Sequence, residues 1–479
     1  MIKLLYMKIL IVGSGPSAYS SLIYLLNRKD IQIDMIDNSN INKKVSKNEC
    51  IYNNTFKYGN RINNEIEIYD NDKTFSNNAY PSPSKSFGGF SNVWGGTVFE
   101  PKEKEIEIYK TLGIDIKKYY QKIISDAFIL SSDSSFPSYS MTLREKNLLN
   151  NLKSLQDDHF KIYFSKTWLL NNSQNKLEKI DICDFCGSYT WDCSGKTIWN
   201  SKNFIKKQIE LKKVNYLENT KLISFKEDFR KVNCNLIQSN KSLNKTYDKV
   251  FLCSGVISTS LIIMNSTDIK QVEVKISDLL SIPFVNLYRK GEKRHSLSDL
   301  FVHKSTNESE VFLQIYGFSR GLLNLANDAV PISRFIKKLP NFLFKNFGGI
   351  FMYLNQENSS SLRIIKTPDG ITFEPNNANF DINKELKALR KYLLKGKVFP
   401  LYILKKNYKF GKSNHYGGQF SHAKSFGDVH TDRVGRLKNL DNVHILDSSV
   451  LPIINTGPLT ATMMANSYRI TEEVFESYS

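Results

Sequence analysis

Two groups of residues in this 479-residue chain have the types and spacing to do chemistry. The first is Gly13-Ser-Gly15-Pro-Ser-Ala18, a G-x-G-x-x-A run. Gly13 permits a tight turn, Gly15 lets backbone approach a pyrophosphate, and small Ala18 lets a helix pack on the preceding strand. Further on, Asp37 offers a carboxylate that can accept both hydroxyls of an adenosine ribose and would repel a 2′-phosphate. Together these read as a dinucleotide site. The second group is centred on His415 in the Gly-flanked stretch Asn414-His415-Tyr-Gly-Gly418. An imidazole, with a pKa near ambient pH, can take up or release a proton. His422, His430 and His444 are read as surface residues.

The elements needed to hold the first group are present in order. Residues 9–12 form a short continuous apolar run, as in a parallel strand buried on both faces. Pro16 falls in the first turn of a helix with Ala18, Leu22, Leu25 and Leu26 on one face. Residues 31–36 form a second strand ending at Asp37. Strand, glycine turn, helix, strand and terminal acid in that order carry more information than the glycines alone.

Bulk properties bound the rest. The length calls for two or more domains, and 41% hydrophobic with 12% aromatic residues excludes a disordered chain. The net charge is 66 − 47 = +19, but the lysines are scattered among asparagines and isoleucines. That reads as composition bias and predicts no nucleic-acid partner, while attraction to anionic membranes or glycans stays open. No run of about 18 apolar residues predicts a membrane span. The apolar start feeds directly into the Gly13 turn, so it reads as strand rather than a cleavable signal, and the chain is expected to be cytoplasmic.

A second glycine-rich block, Ser86-Phe-Gly-Gly89-Phe-Ser91-Asn92-Val93-Trp94-Gly95-Gly-Thr97, has too much backbone freedom for a regular element. Its Phe87, Phe90 and Trp94 nevertheless want burial, which favours a loop laid against a flat ligand. The G-G-x-S-x-x-W-G-G pattern following an N-terminal G-x-G-x-x-A resembles the glucose–methanol–choline family of FAD-dependent oxidoreductases. The resemblance continues through Gly255, Ile257 and Thr259, which match the family's G-x-I-x-T-x-x-L pattern, and through His415, Gly418 and the run ending Asp447-Ser-Ser-Val-Leu-Pro452. It implies an α/β fold: a discontinuous Rossmann-like FAD-binding domain of residues 1–100, 200–270 and 411–479, and an antiparallel-sheet substrate domain of residues 101–199 and 271–410. It also implies a small-molecule alcohol or sugar substrate, hydride transfer to flavin N5, and His415 as general base. The electron acceptor leaves no motif.

By the same resemblance, Gly13, Gly15, Ala18, Asp37, Gly89, Ser91, Asn92, Trp94, Gly95, Leu222, Gly255, Asp447, Gly457, Leu459 and Thr460 contact FAD. Leu222 would offer backbone to adenine, and Asp447 would bond the ribityl chain. Some members carry a flavin-linked histidine just before the tryptophan. Val93 stands there, so the FAD is expected to be non-covalent. Most members also bring a His or Asn as second catalytic residue where this chain has Gly457-Pro458, which leaves Asn455 as the nearest polar substitute. A lipid or secondary-metabolite alcohol, or a non-catalytic flavin-binding role, is the alternative reading.

Between these blocks, residues 103–112, 117–130 and 142–152 show helical periodicity, as do residues 383–394. Residues 311–316 and 349–354 read as strands of a sheet over the flavin. Cys183, Cys186 and Cys193 are spaced C-x2-C-x6-C and admit plain thiols, a metal site or a redox pair. Three ligands are one short of the usual four, so no metal site is assigned. Metal analysis of anaerobically prepared protein is expected to find no iron; about four irons per chain would reverse this.

Overall fold

The N-terminal apolar run is the strand Met7–Val12, which lies between two parallel neighbours, Ile31–Ile36 and Lys249–Leu252. Ile9, Leu10 and Ile11 have no exposed surface, hence the unbroken apolar run in place of an alternation. Asn215–Leu217 joins beyond Ile31–Ile36, and Val443–Ile445 beyond Lys249–Leu252, making five parallel strands. These observations come from a computed structural model. It describes residues 6–39, 41, 74–76, 84, 86–92, 94–123, 127–131, 143–164, 166–170, 198–286, 298–317, 346–407, 413, 415–425 and 427–476. Val93, Asn414, Cys183, Cys186 and Cys193, with the readings placed on them, lie outside the described residues.

The helix Pro16–Leu25 packs against the C-terminal helix Thr460–Glu476 through small residues that let the two backbones come close. Ser467 Oγ donates to the Ser17 carbonyl at 2.7 Å, and Thr471 Oγ1 to Ser21 Oγ at 2.9 Å. The two ends of the chain are thus fastened together over the parallel sheet. On the far side, Thr220–Asp228, Lys231–Gln238 and Lys241–Tyr247 form an antiparallel ribbon against the helix Val256–Ser266.

The antiparallel part is a seven-stranded sheet built around Leu279–Asn286, Phe347–Leu354, Glu310–Gly317 and Ser298–Ser305. Leu386, Leu389 and Leu393 of the helix Ile382–Lys395 join its core. A mixed five-stranded sheet links the two parts, drawing Thr74–Ser76 and Tyr416–Gly417 together with Gln271–Ile276, Ser361–Thr367 and Gly370–Asn376. Among the described residues no helix is long and apolar enough to cross a membrane.

One predicted helix is absent. Residues 117–130 form two short 3-10 turns, Lys117–Tyr119 and Gln121–Ile123, and then the strand Ala127–Ser131. Ile116, Tyr119, Tyr120 and Ile123 are buried as a helical face would be. The strand is instead drawn into a ladder with Lys166–Leu170, and long-range pairing overrides the local periodicity.

His415 precedes Tyr416–Gly417, which pairs with Lys275 and Ile276. Gly417 presses so closely on Ser448 that a Cβ there would overlap the Ser448 carbonyl, and the Gly418 N–H donates to that carbonyl at 2.9 Å. The position of His415 therefore depends on the missing Cβ. Gly417→Ala is expected to cost about 1–3 kcal/mol, measured by urea unfolding, and to displace the His415 segment.

Candidate active site

Four of the parallel strands end at one cleft. Met7–Val12 runs into Gly13, Ile31–Ile36 into Asp37, Lys249–Leu252 into Cys253, and Val443–Ile445 into Asp447 by way of Leu446. Gly13, Asp37, Cys253 and Asp447 all line this cleft. It lies outside the carboxyl ends of the strands, where open α/β sheets bind ligands. Gly13 has φ +105°, and a Cβ there would collide with the Cys253 carbonyl, so Met7–Val12 and Lys249–Leu252 can converge only on glycine.

The second glycine loop forms another wall. Gly89–Asn92 is a 3-10 turn held by serines: Ser91 Oγ donates to the Gly88 carbonyl at 2.6 Å, and Ser201 Oγ donates to the Ser14 carbonyl at 2.9 Å. Ser14 Oγ donates to Asp37 and accepts from the Gly88 N–H at 2.8 Å, joining both glycine loops to the end of the second strand. Asn92 Nδ2 donates to the Phe87 and Gly89 carbonyls. Trp94 donates to the Trp199 carbonyl at 2.7 Å and meets Trp168 and Trp199 edge-on. Of the expected contacts, Gly13, Gly15, Asp37, Gly89, Ser91, Trp94, Gly255, Asp447, Leu459 and Thr460 line the cleft. Ala18, Asn92, Gly95, Leu222 and Gly457 do not; buried Ala18 and Leu222 pack in the core, and Asn92 shapes its own loop. Ser14, Tyr416, Ser448 and Met463 line it without having been expected.

Asp447 is the most firmly held acid of the cleft. It accepts from the Gly255 N–H at 2.9 Å, from Thr259 Oγ1, and from the Ser449 N–H at 3.0 Å. Burial pushes its carboxyl above the usual range, as it does for Asp37, and the donors oppose the shift. Three donors leave acceptor capacity for a ligand hydroxyl.

His415 stacks on Tyr353, with ring centres 4.3 Å apart and planes 16° from parallel. Its ring makes no hydrogen bond to any described residue, and Nδ1 is buried without a partner. Burial alone pushes its pKa down to about 4, well below the near-ambient value expected from the sequence. His415 is therefore neutral throughout the neutral range. Two of the histidines expected at the surface are instead buried. His422 bonds the Asp432 carbonyl, Asn466 and Arg469, and His444 bonds the Val434 carbonyl; burial pushes both to about 3. Distant segments cover them, which local sequence does not reveal.

Asn455 does not project freely. Its Nδ2 donates to Thr462 Oγ1 at 3.0 Å and to Glu105 at 3.3 Å. Glu105 also accepts from the Lys102 and Thr456 N–H groups, and burial raises its pKa. Thr456 Oγ1 donates to Glu310, which accepts from Lys102 Nζ at 2.6 Å and bonds His303 Nε2 at 2.9 Å. Although burial opposes it, His303 and Lys102 hold Glu310 down at about 2. This carboxylate pair fixes the 455–457 turn. Where the second catalytic side chain was sought, a Cβ on Gly457 would meet the Phe312 ring at 3.5 Å. Phe312 is the register partner of Tyr353, so His415 and the turn rest on adjacent positions of one sheet.

The described residues contain no His, Cys, Asp or Glu group arranged to hold a metal. Cys234 and Cys253 are buried free thiols, pushed up by burial and so unreactive.

No protein-family model and no curated protein matches the sequence. Solved structures do match. The crystal structure of pyridoxine 4-oxidase from Mesorbium loti aligns over 98% of this chain and 99% of its own, with a TM-score of 0.64 and 12% identity. At that identity the likeness is one of fold: the chain shares the mixed α/β architecture of that oxidase over nearly its whole length.

Proposed function

We propose that this protein is an FAD-dependent oxidoreductase acting on the CH–OH group of a small-molecule alcohol, with residues 101–199 and 271–410 as its substrate domain. The observation that carries the reading is the convergence of four strand ends, two glycine loops and the start of the C-terminal helix on one cleft, next in the chain to His415. The residues fit a dinucleotide. A Cβ on Gly15 would meet no atom within 4 Å, so the pyrophosphate has room there, against the amides of the first turn of Pro16–Leu25. Asp37 would accept the ribose hydroxyls and Asp447 the ribityl hydroxyls, and the helix starting at Thr460 would add its N-terminal dipole. Bound there, the isoalloxazine supplies the hydride acceptor. His415 takes the hydroxyl proton, and the aromatic wall of Phe99, Phe301, Phe312 and Tyr353 excludes water beside it. The fold likeness to an oxidase supports the reaction class; the comparison oxidase acts on pyridoxine, and an aromatic alcohol is one candidate beside sugars and polyols.

A non-catalytic flavin-binding role is favoured by one feature: Asn455 is tied to Glu105 and Thr462, with no catalytic side chain at Gly457. Bleaching of the flavin in stopped flow across a panel of alcohols separates the two, since a pure binder is reduced by none.

The cofactor is expected to be FAD held non-covalently, so acid precipitation releases the yellow chromophore into the supernatant. Colour retained in the pellet would contradict this, and recovered NADP would overturn the assignment.

His415→Ala is expected to keep FAD bound and to slow flavin reduction by roughly 10² to 10⁴. Because the base is the neutral form and its pKa is pushed to about 4, the wild-type rate stays flat across neutral pH and falls as the pH drops through about 4. Equal rates for wild type and variant end the general-base role. Asn455→Ala costs less in rate and instead lowers stability by about 1–3 kcal/mol, because Glu105 loses a donor.

A further inference from the structure

The helix Ile382–Lys395 turns Lys384, Lys387, Arg390, Lys391, Leu394 and Lys395 outward while burying Leu386, Leu389 and Leu393. Beyond it, Val398–Pro400 runs along the edge of the seven-stranded sheet, with Val398 and Pro400 buried and Phe399 facing out. The turn Tyr402–Leu404 is fastened back onto the helix by Tyr402 OH, which donates to the Leu386 carbonyl at 2.8 Å. Arg390 is close enough to Tyr402 to bias its ionisation. At the tip of this turn Ile403 is 94% exposed, and Phe399 and Leu394 are 40% and 37% exposed.

Single exposed apolar residues need no explanation. Here three occur together within a field of one sign: residues 386–407 hold seven Lys or Arg and no Asp or Glu. Carboxylates stand to the side. Asp381 caps the start of the helix, Glu308 pairs with Lys384, Asp157 accepts from Tyr392, and Glu385 is buried against Lys304. Favourable charge at a helix C-terminus accounts for Lys395. It does not account for Lys397, Lys405 and Lys406 beyond the helix, or for the apolar tips between them.

We propose that this face docks the protein on an anionic lipid surface. Ile403 and Phe399 enter the boundary between headgroups and acyl chains, and the surrounding cations meet lipid phosphates. Charge complementarity selects an anionic partner. The protruding Ile403 selects a bilayer over a nucleic acid, whose phosphate surface offers it no apolar environment.

Co-sedimentation of the full-length holoprotein with vesicles tests this, using phosphatidylcholine alone or with about one-third phosphatidylglycerol. Binding is expected to the anionic vesicles only, and to weaken as salt is raised. Lys391→Gln with Lys395→Gln lowers the partition coefficient by about fivefold per cation removed. Ile403→Ser lowers it by about tenfold. All three side chains are exposed, so an unchanged melting temperature separates lost binding from lost fold. Three results would overturn the proposal: no binding to anionic vesicles, equal binding to neutral ones, or native-like binding by Ile403→Ser. Displacement from the vesicles by an equal charge of double-stranded DNA would do so as well.

Discussion

The carboxylate of Asp447 is the interaction on which the cleft depends. A buried carboxylate is costly unless donors surround it, and here donors arrive from two elements far apart in sequence. The Gly255 N–H and Thr259 hydroxyl start the helix after Lys249–Leu252, and the Ser449 N–H belongs to the turn after Val443–Ile445. One side chain therefore clamps the ends of two neighbouring parallel strands. The same turn carries Ser448, whose carbonyl receives the Gly418 N–H, so the clamp extends to the segment bearing His415. The cleft wall and the candidate base are positioned by one chain of hydrogen bonds.

Across the cleft the same principle is applied with serines. Ser14, Ser91 and Ser201 tie two glycine loops that have little side-chain surface of their own to pack. Loops of this kind are held by hydrogen bonds, and these three are buried where water cannot compete. Behind the 455–457 turn, Glu105 and Glu310 serve a similar purpose with charge. Glu310 is kept ionised by Lys102 and His303, whereas burial raises the pKa of Glu105, which relies on three N–H donors.

The histidine is tuned by the opposite means. Among the described residues no charged group acts on His415; burial and the stacked Tyr353 ring surround it, and desolvation disfavours the imidazolium. An imidazole that is neutral at physiological pH is open to a proton, although less driven to hold one. Its proton affinity is set by packing, so the sheet that supports Tyr353 sets it with no charged partner at the ring.

Local sequence determined the parts of this protein whose physics is local. The continuous apolar run at residues 9–12 required a strand covered on both faces, Gly13 required a positive φ, and the leucine spacing after Asp381 required an amphipathic helix. These held because backbone conformation and hydrophobic period are properties of neighbouring residues. Tertiary structure decided which polar residues are buried and which acids become paired. His422 and His444 are enclosed by distant segments, Glu105 meets Asn455 across 350 residues, and residues 127–131 form a strand because Lys166–Leu170 is there to pair with them. The pKa of His415 belongs to the same class. It follows from desolvation by everything packed around the ring, and no spacing along the chain encodes that.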